Sequence, residues 1–204
     1  MVWVKATASR CARALGGVAL PALRCLNPAF PTPARKETTV AESIELTEDM
    51  KAQIGRQSPP WDFEVTTTSV RMFARGVGYT DPVYYDVETA KAAGYRNLPA
   101  PPSYLGTAVF LPGRCSDTFS GPTEGIPSLN HGLKGLLDGG TETEYFDTIC
   151  AGDTLVAVQT LADAKVANSS ALGGKMLVVT GVTTYTNKAT GKVAAKQTAQ
   201  VIYY

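Results

Sequence analysis

Phe73-Ala74-Arg75-Gly76-Val77-Gly78-Tyr79-Thr80-Asp81-Pro82-Val83-Tyr84-Tyr85-Asp86 joins the end of one helical pattern to the cap of another through a glycine- and proline-marked turn. From Thr68 to Gly78 the apolar residues Val70, Phe73, Ala74 and Val77 recur at helical spacing, and Gly76 and Gly78 end the run. Asp81 before Pro82 reads as a turn or capping residue rather than an acid catalyst, because its short carboxylate can accept from the backbone just ahead. Asp86 is a plausible N-cap for a second helix, Val87 to Ala93, with Gly94 as its C-cap. Upstream, Thr47 caps a short helix with Glu48 and Asp49 in its first turn, and Gly55 closes it. Pro59-Pro60-Trp61 separates that helix from the next.

Downstream the pattern changes to segments rich in valine, threonine and tyrosine. Gly125 to Gly140 reads as irregular, Thr141 to Thr148 as a strand, and Ala151-Gly152-Asp153 as a turn before a strand over Thr154 to Ala162. Gly173 and Gly174 lack the pattern of a phosphate loop and read as a hairpin connection into Lys175 to Asn187, the strongest strand. Asn187 to Gly191 turns into a last strand with Val193, Ala195, Ala199, Val201 and Tyr203 on one face, broken only by Gln197. Lys196, Thr198 and Gln200 fall on the other face, as in a half-buried antiparallel strand. Helices first and a long antiparallel sheet afterwards define an α+β chain, whose sheet must cover its apolar face.

The 204 residues suit one ordinary domain and a tail. With 19 lysines and arginines against 18 acids, charge supplies no reason to expect nucleic acid or an anionic membrane. Cys11, Cys25, Cys115 and Cys150 form no C-x-x-C pair, which points to a reducing compartment rather than a zinc site or disulfide framework. One histidine, His131, cannot make a metal cluster, and neither a metal nor an organic cofactor is expected. Before Glu37 the chain is basic, with Lys5, Arg10, Arg13, Arg24, Arg35 and Lys36, and Val4 to Leu15 could form a basic amphipathic helix. Residues 1–43 therefore read as a disordered leader, a start-site artefact with translation beginning near Met50 or at an unmarked start, or a mitochondrial presequence. Pro28, Pro31 and Pro33 mark a linker, and 44–204 is the expected domain. The longest apolar run, Ala12 to Leu23, is broken by Arg13, two glycines and Pro21, so the expectation is a soluble, cytoplasmic protein, or a mitochondrial one if the leader is a presequence.

Phe73 to Asp86, followed by Ala90, Ala93-Gly94-Tyr95, Ala100-Pro101-Pro102, Leu137-Asp138-Gly139-Gly140, Ala151-Gly152-Asp153-Thr154-Leu155 and the closing strand pair, resembles the MaoC-like hydratase/dehydratase family. The resemblance covers roughly Ile44 to Tyr204. It implies a hot-dog fold, an antiparallel sheet wrapped around a central helix, usually paired into a double hot dog. Active members resembling R-specific enoyl-CoA hydratases carry G-D-x-N-P-x-H in the first segment. Their Asp and His add water to a 2-enoyl thioester or remove it, while a glycine N–H meets the charge that develops on the thioester oxygen.

Against that motif Gly78 and Pro82 are kept and Asp81 replaces the Asn, while Tyr79 stands at the Asp and Tyr84 at the His. Phenols titrate near ~10 and are poor bases at neutral pH. Pro102 falls at the oxyanion glycine, and proline has no amide hydrogen, a loss costing about 10²- to 10³-fold in rate. The pattern resembles the N-terminal, non-catalytic half of MaoC-type dehydratases, in which a partner hot dog supplies Asp and His. On that resemblance no catalytic residue is assigned, and Tyr79, Asp81, Tyr84, Tyr85, Pro102 and Tyr104 are the expected substrate-binding residues. The implied ligand is an acyl-CoA or acyl-carrier thioester of fatty acid metabolism. The implied partner is a second hot-dog subunit, identical or not, since an unpaired sheet edge invites association.

Competing readings remain beside this one. Tyr79, Tyr84 and Tyr85 could be packing aromatics, and His131 a surface or loop-bracing residue. Ser103, Asp81 and His131 hold the residue types of a hydrolase triad without the G-x-S-x-G elbow. Glu142 and Glu144 share one strand face and read as a solvated edge. The functional alternatives are a self-sufficient hydratase or thioesterase using Asp81 or His131, and an acyl-CoA-binding scaffold.

Overall fold

Among the described residues three α-helices start where polar caps dictate. In α1 (Glu48–Gln53) the Thr47 hydroxyl accepts from the Met50 N–H, and in α2 (Thr67–Gly76) Thr66 and Ser69 form a reciprocal capping box. In α3 (Val87–Ala92) the Asp86 carboxylate accepts from the Thr89 N–H at 2.7 Å. The structure, a computed structural model, describes residues 44–107, 127–170 and 174–204. The basic leader with its helix over Val4 to Leu15, the Pro28–Pro33 linker, Gly125, Gly173 and Cys11, Cys25 and Cys115 lie outside the described residues.

Among the described residues five strands form one antiparallel sheet in the order β1-β3-β4-β5-β2. They are β1 (Trp61–Glu64), β2 (Leu136–Tyr145), β3 (Thr154–Ser169), β4 (Gly174–Asn187) and β5 (Val193–Tyr203). β1 was not expected; its four residues follow two prolines, too short a run to show a period, yet Trp61 and Phe63 are buried and Asp62 and Glu64 are not. β2 begins at Leu136, inside the stretch expected to be irregular. Its two glycines hid it, and a bulge between Asp138 and Gly140, where Gly140 sits at φ +110°, explains them. β3 runs past Ala162 to Ser169, because a bulge between Leu161 and Asp163 absorbs Ala162 and moves Ala164 onto the inner face. A third bulge, at Tyr185/Thr186, leaves Ala194 unpaired between Val193 and Ala195. Ala194 and Ala195 are consequently both buried while Val193 is exposed, contrary to the simple alternation.

The inner face carries the core. Phe63 on β1 meets Tyr104 and Tyr185 edge-on, with ring centroids 5.8 and 5.9 Å away, and Tyr104 meets Phe73 of α2 at 5.6 Å. Val70, Ala90, Leu98 and Leu155 complete it with no exposed surface. Such edge-to-face aromatic pairs add roughly 0.5–1.5 kcal/mol each beyond their burial. No helix among the described residues is long and apolar enough to cross a membrane.

Candidate functional site

Past the end of α2, Gly78 takes φ +82°, a conformation that glycine adopts without a side-chain clash, and the Tyr79 N–H closes on the Ala74 carbonyl at 2.9 Å. The chain then enters a 3₁₀ turn, Pro82–Tyr84, whose N-cap is Asp81, with its carboxylate accepting from the Val83 N–H at 3.0 Å. Asp81 is thus a turn-builder, and Asp86 a helix cap held below the usual carboxylate range by its hydrogen bonds to Thr89. Tyr85 donates its hydroxyl to the Tyr79 carbonyl at 2.5 Å, and the Tyr85 carbonyl accepts from Arg71 Nε at 2.9 Å, so this residue fastens the turn to α2. The rings of Tyr79 and Tyr84 stack at 5.5 Å and 23°. Burial pushes the Tyr84 phenol above its ordinary value, and the charges of Tyr79, Tyr95 and Asp81 push it further.

Opposite the turn, the segment Leu98–Ala100 is laced to Ile149–Ala151. The Ala100 N–H bonds the Ile149 carbonyl and the Ala151 N–H the Leu98 carbonyl, both at 2.8 Å, around a bridge between Pro99 and Cys150. Asp153 holds the turn of that second segment: its carboxylate accepts from the Cys150 N–H at 2.8 Å and pairs with Arg96, which also bonds the Thr148 carbonyl. Gly152, at φ +96°, makes the corner. The consequence is a cleft of about 270 Å³ lined by Tyr84, Tyr95, Pro99, Ala100, Pro102, Tyr145, Asp147, Thr148 and Ile149. Tyr84 and Pro102 are therefore brought together, 18 positions apart in sequence, in one partly apolar hollow.

Ser103, next to Pro102, sits at φ +68°, the one non-glycine residue with positive φ among the described residues. Tyr145 is pushed up by burial, and a hydrogen bond with the Ser103 backbone partly offsets this. Tyr104 turns the other way: it is 2% exposed, its hydroxyl lies 2.6 Å from Ser69 Oγ, and burial raises its pKa. It packs in the core and is not among the residues that line this cleft. Tyr79, Asp81 and Tyr85 build the turn that presents Tyr84 rather than line the cleft. The residues missed, Tyr95, Tyr145, Thr148 and Ile149, reach the cleft through long-range pairing; for Tyr145 the available signal was its inward position on β2, beside Ala195.

A second cavity of about 390 Å³ lies on the inner face of the sheet, floored by Leu161, Val179, Gly181, Ala199 and Val201 and rimmed by Pro127–Leu129 and His131. A register row of polar residues, Gln159, Thr183, Gln197 and Thr143, crosses the sheet between this floor and the aromatic core. His131 lies against Tyr203 at 4.1 Å and accepts from the Leu133 N–H at Nδ1, and burial lowers its pKa. It braces its own loop. With Asp81 tied to Val83, no Ser103–Asp81–His131 triad exists. Among the described residues no three histidine, cysteine or acidic side chains converge to hold a metal ion.

An antiparallel sheet whose inner face is packed by helices, with a cleft at the turn after α2, defines a hot-dog protein of the MaoC-like hydratase/dehydratase class. The model for the FAS1-like, dehydratase domain region matches residues 52–196, and the chain belongs to that family. A UPF0336 protein of Streptomyces avermitilis is 33% identical over 113 residues, 55% of this chain and 71% of that one. A second, from Parafrankia sp., is 38% identical over 100 residues, covering 49% and 62%. Among solved structures, the ChsH1–ChsH2 complex of Mycobacterium tuberculosis matches with TM-score 0.58 and 18% identity over 72% of this chain and 88% of that chain. The HadBC (3R-hydroxyacyl-ACP dehydratase) complex of the same organism matches with TM-score 0.53 and 18% identity, over 74% and 96%. A MaoC-like dehydratase matches with TM-score 0.58 and 22% identity over 75% of this chain and 42% of its own length. At these identities the structures establish the fold.

Proposed function

We propose that this chain is the substrate-binding, non-catalytic subunit of an acyl thioester hydratase/dehydratase, and that a second hot-dog subunit supplies the acid and base. The observation that carries the reading is the pairing of Tyr84 and Pro102 in one cleft. At the position where active relatives place a histidine stands a phenol pushed above its ordinary value, neutral at physiological pH. At the position of the oxyanion donor stands a residue with no N–H. The cleft can hold an acyl or pantetheine group by shape and apolar contact, but its Tyr84 and Pro102 cannot move the proton or meet the enolate oxygen. Self-sufficient catalysis through Asp81 or His131 has less support, since Asp81 is committed to its turn and His131 lies in the other cavity.

The ligand proposed is an acyl-CoA or acyl-carrier thioester of fatty acid metabolism, bound by Ile44–Tyr204 in the cytoplasm. Tyr84 and Pro102 contact it, and Tyr79, Asp81 and Tyr85 support Tyr84. Two of the solved relatives are named as complexes, HadBC and ChsH1–ChsH2, which favours a two-subunit arrangement. The test mixes this chain with a MaoC-type subunit that retains Asp and His and follows hydration of an enoyl-CoA. The reading expects the mixture to exceed the catalytic subunit alone; equal rates with and without this chain would defeat it.

A further inference from the structure

The hollow on the inner face of the sheet exists because of two small residues. Gly181 on β4 and Ala199 on β5 are partners in register, and Leu161 on β3 pairs with Gly181 from the other side. Two residues along each strand the same face carries larger side chains, Val179 and Val201 in one direction and Thr183 and Gln197 in the other. Val179, Ala199 and Val201 stay half-buried, whereas Ala157, Tyr185 and Ala195, nearer the core, are buried. The resulting volume of about 390 Å³ falls within the ~300–1,000 Å³ of small-molecule sites. It shares no lining residue with the Tyr84–Pro102 cleft.

Two polar groups border this apolar floor. Ser58 fixes the Gln159 backbone: its N–H donates to the Gln159 carbonyl at 2.8 Å, and its hydroxyl accepts from the Gln159 N–H at 3.0 Å. The Gln159 carboxamide lies over Gly181, where a Cβ would come within 3.0 Å of Nε2. On the rim, His131 Nδ1 accepts from the Leu133 N–H at 3.0 Å, so the neutral ring carries its proton on Nε2. Burial favours that neutral form. No lysine, arginine, aspartate or glutamate is among the described residues that line the cavity. A carboxylate or phosphate would lose water there with no cation to offset the cost. A plain hydrocarbon would cover the Gln159 amide without bonding it, which is also unfavourable.

We infer that this cavity is a second binding site, for an uncharged, hydrocarbon-rich molecule bearing one carbonyl or hydroxyl oxygen. Leu161, Val179, Ala199 and Val201 hold the chain, and Gln159 and His131 donate to the oxygen. At ~30 Å³ for a water-sized group the cavity has room for about a dozen such groups. The site stands apart from the Tyr84–Pro102 cleft, so the inference goes beyond the two-subunit reading and does not need it. The probes are 2-nonanone and its charged counterpart nonanoate, titrated near neutral pH into the full-length chain. Amide chemical shifts locate each ligand, and calorimetry gives its affinity. The ketone should move the resonances of Val179, Gly181, Ala199 and Val201 and leave those of Tyr95, Tyr145 and Thr148 in place. Nonanoate should bind at least about tenfold more weakly. Gln159→Leu keeps the bulk of the side chain and should weaken the ketone about five- to tenfold, the loss of one neutral hydrogen bond. Ala199→Leu fills the floor and should weaken it by about tenfold or more. Circular dichroism checks that both variants are folded; should either unfold, the comparison of ketone with nonanoate on wild type still decides. Ketone shifts absent from β4 and β5 or confined to the cleft, nonanoate binding as tightly as the ketone, or full ketone affinity in folded Gln159→Leu overturns the inference. The hydration assay with a catalytic subunit tests the two-subunit reading separately.

Discussion

Replacing Tyr104 with phenylalanine separates packing from ligand contact at a residue that could do either. The ring stays, and with it the edge-to-face contacts to Phe63 at 5.8 Å and Phe73 at 5.6 Å. Only the hydroxyl bonded to Ser69 at 2.6 Å is lost. Ser69 Oγ keeps the Thr66 N–H and the Thr66 carbonyl at 3.0 and 2.9 Å, so no buried group is stranded and the cost stays near that of one neutral hydrogen bond, about 1 kcal/mol. For a domain of this size that lowers Tm by about 2–4 °C. Tyr104→Ala removes the ring as well and should cost about 3–5 kcal/mol, lowering Tm by on the order of 10 °C. The assay is a thermal melt of each variant, with KM for an enoyl-CoA measured on the chain assembled with a catalytic subunit. The phenylalanine variant should shift Tm and leave KM within about twofold. An unchanged Tm with KM raised about tenfold would mean that the hydroxyl reaches substrate, and would refute its assignment to the core.

Other perturbations follow from the same structure. Thr66→Ala breaks the α2 capping box and should cost about 1 kcal/mol, read as a Tm loss of about 2–4 °C. Gly78→Ala forces a side chain into φ +82°; with no atom within 4 Å of the new Cβ, the cost is backbone strain of about 1–2 kcal/mol, visible in urea unfolding. Burial holds the His131 imidazole below its ordinary value of 6.5, so the folded chain binds that proton less readily than the unfolded one. Its stabilising contribution is complete above the unfolded value, declines as pH falls below about 6.5 and is gone below the folded value. The Tm of wild type should therefore drop more between about pH 7 and pH 5 than that of His131→Gln, which has no proton to take up.

The helices were legible in the sequence because their caps are local: Thr47 and Asp86 each bond within three residues of themselves. The strands were legible only where alternation was unbroken. Each misread boundary has a bulge or a short span behind it: Gly139-Gly140 hid the start of β2, Ala162 cut β3 short, and Ala194 inverted the expected placing of Val193. A bulge is invisible to a period-two pattern because it is the place where the period changes. At the site, family resemblance picked out Tyr84 and Pro102, and both line the cleft. Tyr104, two residues past Pro102, faces the core, a direction set by Phe63 and Phe73 on other elements, which no local pattern encodes. Tyr95 and Tyr145 enter the cleft because Ala100 bonds to Ile149 and β2 lies beside β5, pairings known only once the chain has folded.

The proposal that Tyr79, Tyr84 and Pro102 leave this subunit without chemistry of its own is open to one direct measurement: loss of enoyl absorbance with crotonyl-CoA and a longer enoyl-CoA, using purified full-length chain and nothing else. The account predicts a rate equal to buffer, for wild type and for Asp81→Asn and His131→Ala alike. Turnover by the wild type that either substitution abolishes would contradict it.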